Sequence, residues 1–396
     1  MIKKLCCILG VAGLLFSVAA CGKKTADTGD TYSGKKVKAG FIYVGPIGDF
    51  GWTYAHEISR KELIAKYPWL ETIYVENIPE GDSDRVIDRL VNEEKCDIIF
   101  ATSFGYMDST INAGKKYPDK IFMHCAGYKR EKNVGTYFAE LYQAYYLNGL
   151  MAGALSKTDR IGYVAAHPIP EVIRHINAFA IGVKEVNPSA KVYVKWLFSW
   201  YDPAKAREAA ESLIAQGCDT LAFEEDSVAV IEVGQSHTFK GHQIYTFSHY
   251  SPMQKFGPDS VVSGQLVNWT GMYDYILNNV NEGKWTNEDM WWRLKEKAVA
   301  LGGEHGEQIN KKFVPVLQNL KIKNKDFGNI SVYDLVMKRL KQMEQGPDVF
   351  DPFTGPVKDQ KGIVRIKTGN CADHDMLWTM DWFAENVEGK LPESGK

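Results

Sequence analysis

Four short stretches carry residue types that could do chemistry, and each lacks the pattern that its chemistry needs. Thr102-Ser103-Phe104-Gly105 lacks the leading glycine of a nucleophile elbow, because position 101 is Ala. Ser103 therefore reads as a ligand hydrogen-bonder or a turn residue. Gly45, Gly48 and Gly51 follow a G-x-x-G-x-x-G spacing instead of the G-x-G-x-x-G of a dinucleotide loop, and Pro46 removes a backbone donor, so a tight ligand loop explains them better. His56-Glu57 has no second histidine four residues on, and Cys371-Ala372-Asp373-His374-Asp375 reads as a helix-capping loop ahead of a metal site. No Walker A sequence is present, so any ATP-driven step belongs to a separate protein. The expectation is a binding protein that is not an enzyme and has no metal site or cofactor.

The elements that would position such residues alternate. From Lys36, apolar runs at Val37 to Val44, Thr72 to Glu76, Asp97 to Ala101 and Ile121 to Cys125 are separated by amphipathic segments after Trp52, from Ser83, and from Met107 to Lys116. That is a βαβ rhythm and implies a parallel sheet. Asp82 and Ser83 are cap candidates for a helix whose apolar face is Val86, Ile87, Leu90 and Val91. After a long apolar helix, Tyr142 to Leu155, the rhythm restarts with strands at 160–165, 191–198 and 220–223 and helices at 171–186 and 203–216, giving a second parallel sheet. Asp202-Pro203 supplies a helix start and Gly217 its stop. Strands at 243–247 and 261–266 and a helix at 270–280 follow. The pattern is irregular from 282 to 360, and a strand at 363–366 and a closing helix at 375–387 end the reading. Two open parallel sheets place their ligand loops on a shared crevice, so an interlobe cleft is the expected binding site.

The 396 residues are 45% hydrophobic and 24% charged, with 47 Lys+Arg against 49 Asp+Glu. This is the balance of a folded globular chain and gives no basic face for a nucleic acid. Residues 1 to 20 form an export signal: Lys3 and Lys4 precede a 16-residue apolar run, shorter than the roughly 20 that span a membrane. Val18-Ala19-Ala20-Cys21 resembles the lipobox of bacterial lipoproteins, in which the cysteine is acylated and becomes the mature N-terminus. Residues 21–35 read as a polar tether, and its flexible part spans about 20 Å, enough for an anchored domain to reach a membrane partner. Cys96, Cys125 and Cys218 lie in or beside strand-like runs and are expected in the core; no disulfide framework is visible.

The segment Ala39-Gly40-Phe41-Ile42-Tyr43-Val44-Gly45-Pro46-Ile47-Gly48-Asp49-Phe50-Gly51-Trp52-Thr53 resembles the opening motif of the basic membrane protein family, purine-binding lipoproteins of bacterial ABC importers. Tyr145-Tyr146-Leu147-Asn148-Gly149-Leu150-Met151-Ala152-Gly153, Ile176 to Gly182, Ser199-Trp200-Tyr201-Asp202-Pro203 and Phe353-Thr354-Gly355-Pro356 extend the likeness over roughly 36–390. The resemblance implies an α/β, type I periplasmic-binding fold of two lobes joined by three crossovers. The lobes are expected at 36–139 with 249–266, and at 140–248 with 267–396. It also implies partnership with an ABC permease and its ATPase at the membrane.

In the nucleoside-binding branch the opening motif carries an Asp and a stacking aromatic, and Asp49 and Trp52 occupy those places. That branch also sets carboxylates and a lysine against the ribose. The matching segments here, His124-Cys125-Ala126, Ser248-His249-Tyr250 and the strand ending at Leu266, hold none. A purine nucleobase is therefore favoured over a nucleoside, since unpaired buried polar groups cost about 1–3 kcal/mol. Asp226, after a second-lobe strand, is the candidate acceptor for an exocyclic amine. Phe104, Tyr106, Trp200, Tyr250 and Trp269 are candidates for the second stacking platform or the pocket wall. With 10 Trp, 20 Tyr and 18 Phe in the chain, some of these must be core. A sensory lipoprotein of the same fold is the alternative reading, and a neighbouring permease gene would decide between the two.

Overall fold

A computed structural model describes residues 35–392. The export signal and Cys21, with all but the last residue of the tether, lie outside the described residues. The chain opens with β1 (Val37–Ile42), α1 (Trp52–Lys66), β2 (Leu70–Val75), α2 (Ser83–Asn92), β3 (Ile98–Ala101), α3 (Met107–Lys116), β4 (Ile121–Cys125) and β5 (Val134–Ala139). Helix α4 (Tyr142–Leu155) leads into the second lobe, which continues as β6 (Arg160–Ala165), α5 (Pro170–Val186), β7 (Lys191–Trp196), α6 (Pro203–Ala215), β8 (Thr220–Glu224) and α7 (Ala229–Ser236). A small hairpin of β9 (Thr238–Phe239) and β10 (His242–Gln243) precedes β11 (Tyr245–Tyr250) and β12 (Val261–Val267).

The chain then returns to the first lobe through α8 (Thr270–Asn281) and β13 (Asp289–Trp292), and crosses back to β14 (Val299–Leu301). The first sheet has the order β13-β5-β4-β3-β1-β2 and is parallel throughout. The second extends from β14 through β12, β11, β8, β6 and β7, and only β14 is antiparallel to its neighbour. The chain therefore passes between sheets three times, as the two-lobe reading implies.

One lobe boundary is corrected. Residues 249–266 were expected in the first lobe, but β11 and β12 pair in parallel within the second sheet, Ser248 against Gly264 and Tyr250 against Leu266. The segment that rejoins the first lobe is instead 270–292, where α8 packs on α1 and β13 adds an edge strand to β5. Alternating apolar runs fix that a strand exists without saying which sheet it joins.

The irregular segment contains α9 (Val314–Asn319), an antiparallel pair β15 (Lys321–Asn324) and β16 (Gly328–Ser331), and α10 (Val332–Gln345), whose buried face packs against α4. A second pair, β17 (Val357–Lys358) and β18 (Val364–Ile366), follows. The expected closing helix is only α11 (His374–Trp378); the chain beyond it forms β19 (Val387–Glu388), which adds to β7. Asp373 caps α11 by accepting from the Met376 N–H at 2.8 Å, as a capping loop should. Asp202 caps α6 in the same way through Lys205 N–H at 3.0 Å, and Gly217 ends that segment at φ +96°.

Helix α4 is apolar on nearly all sides and is buried on nearly all sides. Its closest neighbour is α5, and glycines let the two backbones approach: a Cβ on Gly149 would lie 2.1 Å from Phe179 O, and one on Gly182 would lie 2.2 Å from Tyr146 O. The motifs that carried the family resemblance thus seat α5, whose N-terminal turn faces the cleft. Cys96, Cys125 and Cys218 are buried and unbridged, as expected, while Cys371 is exposed.

Candidate functional site

Loops at the C-terminal ends of strands in both sheets meet in a slot lined by Val44, Trp52, Ser103, Phe104, Ala126, Glu171, Trp200, Asp226 and Tyr250. A water's centre fits in only about 20 Å³ of it, so it is narrow. Ala126 and Tyr250 line it at φ +63° and +60°, and Phe50 on its rim holds φ +62°. Left-handed backbone at non-glycine residues costs energy and is held only where the surroundings enforce it, which is common in ligand loops. A larger groove, in which a water's centre has about 800 Å³, opens at the other end of α5. Some of its charged groups are paired, Lys184 with Glu385, and Glu185 and Asp326 with Arg339.

Six expected residues reach the slot: Trp52, Ser103, Phe104, Trp200, Asp226 and Tyr250. Trp52 begins α1, and its indole N–H donates to Thr102 O at 2.5 Å. Its ring meets Tyr250 and Trp269 edge-on, at 5.2 and 5.3 Å between centroids. The Ser103 hydroxyl donates to Glu80 Oε1 at 2.6 Å, so the first lobe already uses its proton. Trp200 packs on His167 at 4.9 Å.

Three expected residues do not line the slot. Asp49 turns its carboxylate into the first turn of α1, where it accepts from Gly51, Thr53 and Tyr54 N–H at 2.8 to 3.1 Å. Burial pushes its pKa up to about 6 against those donors. Tyr106 is buried in the first lobe and donates to Ile78 O at 2.6 Å. Trp269 is fully buried behind Trp52, stacked on His56 at 4.4 Å. It packs against the Trp52 ring from behind.

Asp226 faces the start of α1. Trp52 backbone N–H donates to its Oδ1 at 3.0 Å, an interlobe bond made where the helix N-terminus favours negative charge. Burial and the nearby Asp49 raise the Asp226 pKa well above the ordinary carboxylate range, with the Trp52 N–H opposing them. Gly51 leaves room for this contact, since a Cβ there would lie 2.6 Å from Asp226 Cα.

Glu171 was missed. It lies in the first turn of α5, after β6, and strand-end position, the signal that raised Trp200, would have found it. It is buried, Tyr250 OH lies 3.4 Å from its Oε1, and burial with the neighbouring Glu224 pushes its pKa up to about 7. Behind it lies a buried ion network. His175 meets Glu140 through Nε2 at 2.8 Å and Glu224 through Nδ1 at 2.9 Å, and Arg174 Nε donates to Glu140 Oε2 at 2.7 Å. Burial alone would lower the His175 pKa, but Glu224 and Glu140 hold it up at about 9. Burial alone would raise that of Glu140, but Arg174 and His175 hold it down at about 2. Glu171, His175 and Glu224 stand close enough to suggest a metal set, but both His175 nitrogens are engaged by carboxylates, and an imidazolium has no lone pair to offer a metal.

Two parallel-sheet lobes with a narrow slot lined from both define an interlobe solute-binding protein. The chain belongs to the Bmp family of PnrA-like ABC transporter substrate-binding proteins, whose family model matches residues 36–335. It is 36% identical to a purine-binding protein of Brucella abortus over 92% of this chain and 97% of that one. It is 38% identical, over 72% of each chain, to a Haloferax volcanii protein whose name provisionally assigns it to glucose binding by an ABC transporter. An ABC transporter solute-binding protein from Aeropyrum pernix superposes with a TM-score of 0.65, over 86% of this chain and 95% of that one, at 15% identity, a likeness of fold. The family is one of solute-binding proteins and not an enzyme class. Among the described residues no helix is long and apolar enough to cross a membrane.

Proposed function

We propose that the chain captures a purine, a free nucleobase in preference to a nucleoside, in the interlobe slot and presents the closed complex to an ABC permease. The reading rests chiefly on one observation: four aromatic rings and two carboxyls, Glu171 and Asp226, converge on a narrow cavity from both lobes. Stacking on a base contributes about 1–3 kcal/mol per aromatic platform, and two platforms with a few hydrogen bonds reach about −8 kcal/mol, a micromolar affinity. Trp52 and Phe104 would serve from the first lobe, Trp200 and Tyr250 from the second. The segments matched to the ribose-binding ones, His124-Cys125-Ala126 and Ser248-His249-Tyr250, hold no carboxylate or lysine, which favours a base over a base carrying a sugar. The Brucella relative supports the purine class. Anchoring at a lipidated Cys21, with residues 22–35 as tether, would hold the receptor at the outer face of the membrane.

In this reading Asp226 keeps one oxygen on the Trp52 N–H and offers the other to an exocyclic amine. An amine adds a second donor, which favours the carboxylate form against burial. The test is calorimetric titration of the chain from residue 22 onward, refolded to strip carried-over ligand. Adenine, hypoxanthine, guanine, their nucleosides and glucose are compared. Free bases are expected to bind more tightly than nucleosides. Asp226→Asn retains an oxygen for Trp52 but replaces the second acceptor with a donor. It is expected to weaken adenine by about 1.5–3 kcal/mol and hypoxanthine by less. Binding of glucose alone would overturn the purine reading; tighter nucleosides would overturn the base preference.

A further inference from the structure

Charge bookkeeping around α5 singles out Glu171. The buried cations of the network are Arg174 and His175, and the carboxylates that engage them are Glu140 and Glu224. Both nitrogens of His175 are taken, and the Arg174 guanidinium lies within 5.4 Å of the Phe138, Trp291 and Trp378 ring centres. The network is balanced without Glu171, whose carboxyl is equally buried and opens on the slot. Among the described residues its remaining neighbours supply no cation. Tyr250 from β11 offers a hydroxyl at 3.4 Å, and Tyr163 from β6 donates instead to Glu224. Cys125 from β4 is a thiol that burial and Glu171 itself keep protonated. The α5 N-terminus favours an anion only modestly, while an unpaired buried carboxylate carries a heavy desolvation cost.

We propose that Glu171 enters the slot as a neutral carboxylic acid and donates a hydrogen bond to an acceptor atom of the ligand, making it a specificity-determining residue. Oε1 faces the Tyr250 hydroxyl, which leaves the other oxygen to carry the proton. Such a donor selects a ring nitrogen or carbonyl oxygen and rejects an N–H or ammonium at the same place. The site's two carboxyls would then divide the work, Asp226 accepting and Glu171 donating, which matches an edge that pairs an amine with a ring nitrogen. This inference rests on the purine reading for its ligand, and its pKa of about 7 agrees with the charge argument.

The test uses the full-length chain in detergent, with adenine and its 1-, 3- and 7-deaza analogues, each of which replaces one ring nitrogen by C–H. Relative to Glu171→Gln, in which the slot's other carboxyl, Asp226, titrates alike, wild-type affinity for adenine is expected to fall about tenfold per pH unit above pH 7, as the competent protonated fraction falls. Glu171→Gln, a neutral donor, should bind adenine within about threefold of wild type at pH 7, while Glu171→Ala should lose at least about tenfold. One deaza analogue should bind the wild type weakly and lose nothing further in Glu171→Ala, identifying the nitrogen that Glu171 meets. Equal loss in both variants, with the ratio of wild-type to Glu171→Gln affinity flat or rising with pH, would mean that the carboxylate anion is the recognising form and would overturn the proposal. If no purine binds the wild type, the purine reading fails by itself, and the proton is then read without ligand. Difference infrared spectroscopy at pH 6 should show a neutral carboxylic acid band that Glu171→Gln removes, and a spectrum lacking that band overturns the proposal.

Discussion

The two walls of the slot are built on different physics. The first lobe contributes Val44, Trp52, Ser103, Phe104 and Ala126, without an ionisable group, whereas the second contributes Glu171 and Asp226 with Trp200 and Tyr250. Behind the first wall stand more aromatic rings: Trp269 and His56 stack on each other and meet Trp52 edge-on. Behind the second stands the ion network of Glu140, Arg174, His175 and Glu224. The first lobe thus lines the slot with rings backed by further rings, and the second lines it with carboxyls backed by an ion network. A ligand gains both sets of contacts only when the lobes are together, which is the differential affinity that a closing receptor requires.

The comparison breaks most severely at Trp52, because that ring is both wall and core. It is 6% exposed and bonded to Thr102 O, so the truncation is not confined to the ligand. Trp52→Ala should cost about 3–5 kcal/mol of stability, the usual range for burying a cavity of this kind. It should also remove a stacking contribution of about 1–3 kcal/mol from binding. Denaturant unfolding and calorimetry separate the two. Trp52→Phe should recover much of the packing while still losing the Thr102 bond. Unaltered unfolding in Trp52→Ala would show that the first wall is not structural.

On the second wall the corresponding support is Glu140, 0% exposed and engaged by Arg174, His175 and the Tyr142 N–H. Glu140→Gln leaves two buried cations undercompensated and should cost about 3 kcal/mol or more. The pH dependence follows from the sign of each shift. His175 is held up at about 9, so its stabilising contribution is complete below the ordinary 6.5 and is lost as pH rises through 9. Glu140 is held down at about 2, so its contribution is complete above the ordinary 4.5 and is lost as pH falls toward 2. Thermal unfolding of the wild type should therefore weaken between pH 6.5 and 9, and Glu140→Gln should flatten that slope. An unchanged slope would detach His175 from Glu140.

The legibility of the two walls in the sequence also differs. Position after a strand end marks Phe104 and Trp200, which reach the slot, and also Tyr106, which is consumed in the core; Trp52 is marked by the resemblance of the opening motif. The parallel sheets and the α4–α5 pair are legible for a similar reason, since the periodicity is local and Gly149 and Gly182 stand in their motifs. Glu171 was read only as a helix residue, because what matters about it is a balance among Glu140, Arg174, His175 and Glu224, which come from three separate stretches of chain. Asp49 looks like a ligand carboxylate in sequence but is consumed by the N–H groups two, four and five residues ahead of it. The swap of 249–266 for 270–292 has the same origin: which sheet a strand joins depends on partners remote in sequence.

Closure itself can be separated from either wall at Gly51, which touches the second lobe without lining the slot. A Cβ there would lie 2.6 Å from Asp226 Cα, 2.7 Å from its Oδ1 and 2.9 Å from its Cβ. Asp226 cannot retreat freely, because its own N–H is tied to Trp200 O at 2.7 Å. Nearby, Phe50 O accepts from the Ser251 hydroxyl and the Phe50 ring packs on Phe256 at 5.0 Å, so the whole rim is in contact across the lobes. Gly51→Ala leaves every slot residue in place but sets a methyl group against the opposite backbone, an overpacking of about 1–3 kcal/mol that exists only when the lobes meet. Ligand affinity should drop by that amount, while the intrinsic stability of the ligand-free chain, free to open, changes less. Small-angle scattering of the ligand-free variant should show a larger radius of gyration than the wild type, and saturating ligand should restore the compact form. If affinity and radius both stay at wild-type values, the lobes meet elsewhere, and the bond from Trp52 to Asp226 is not the contact that sets closure.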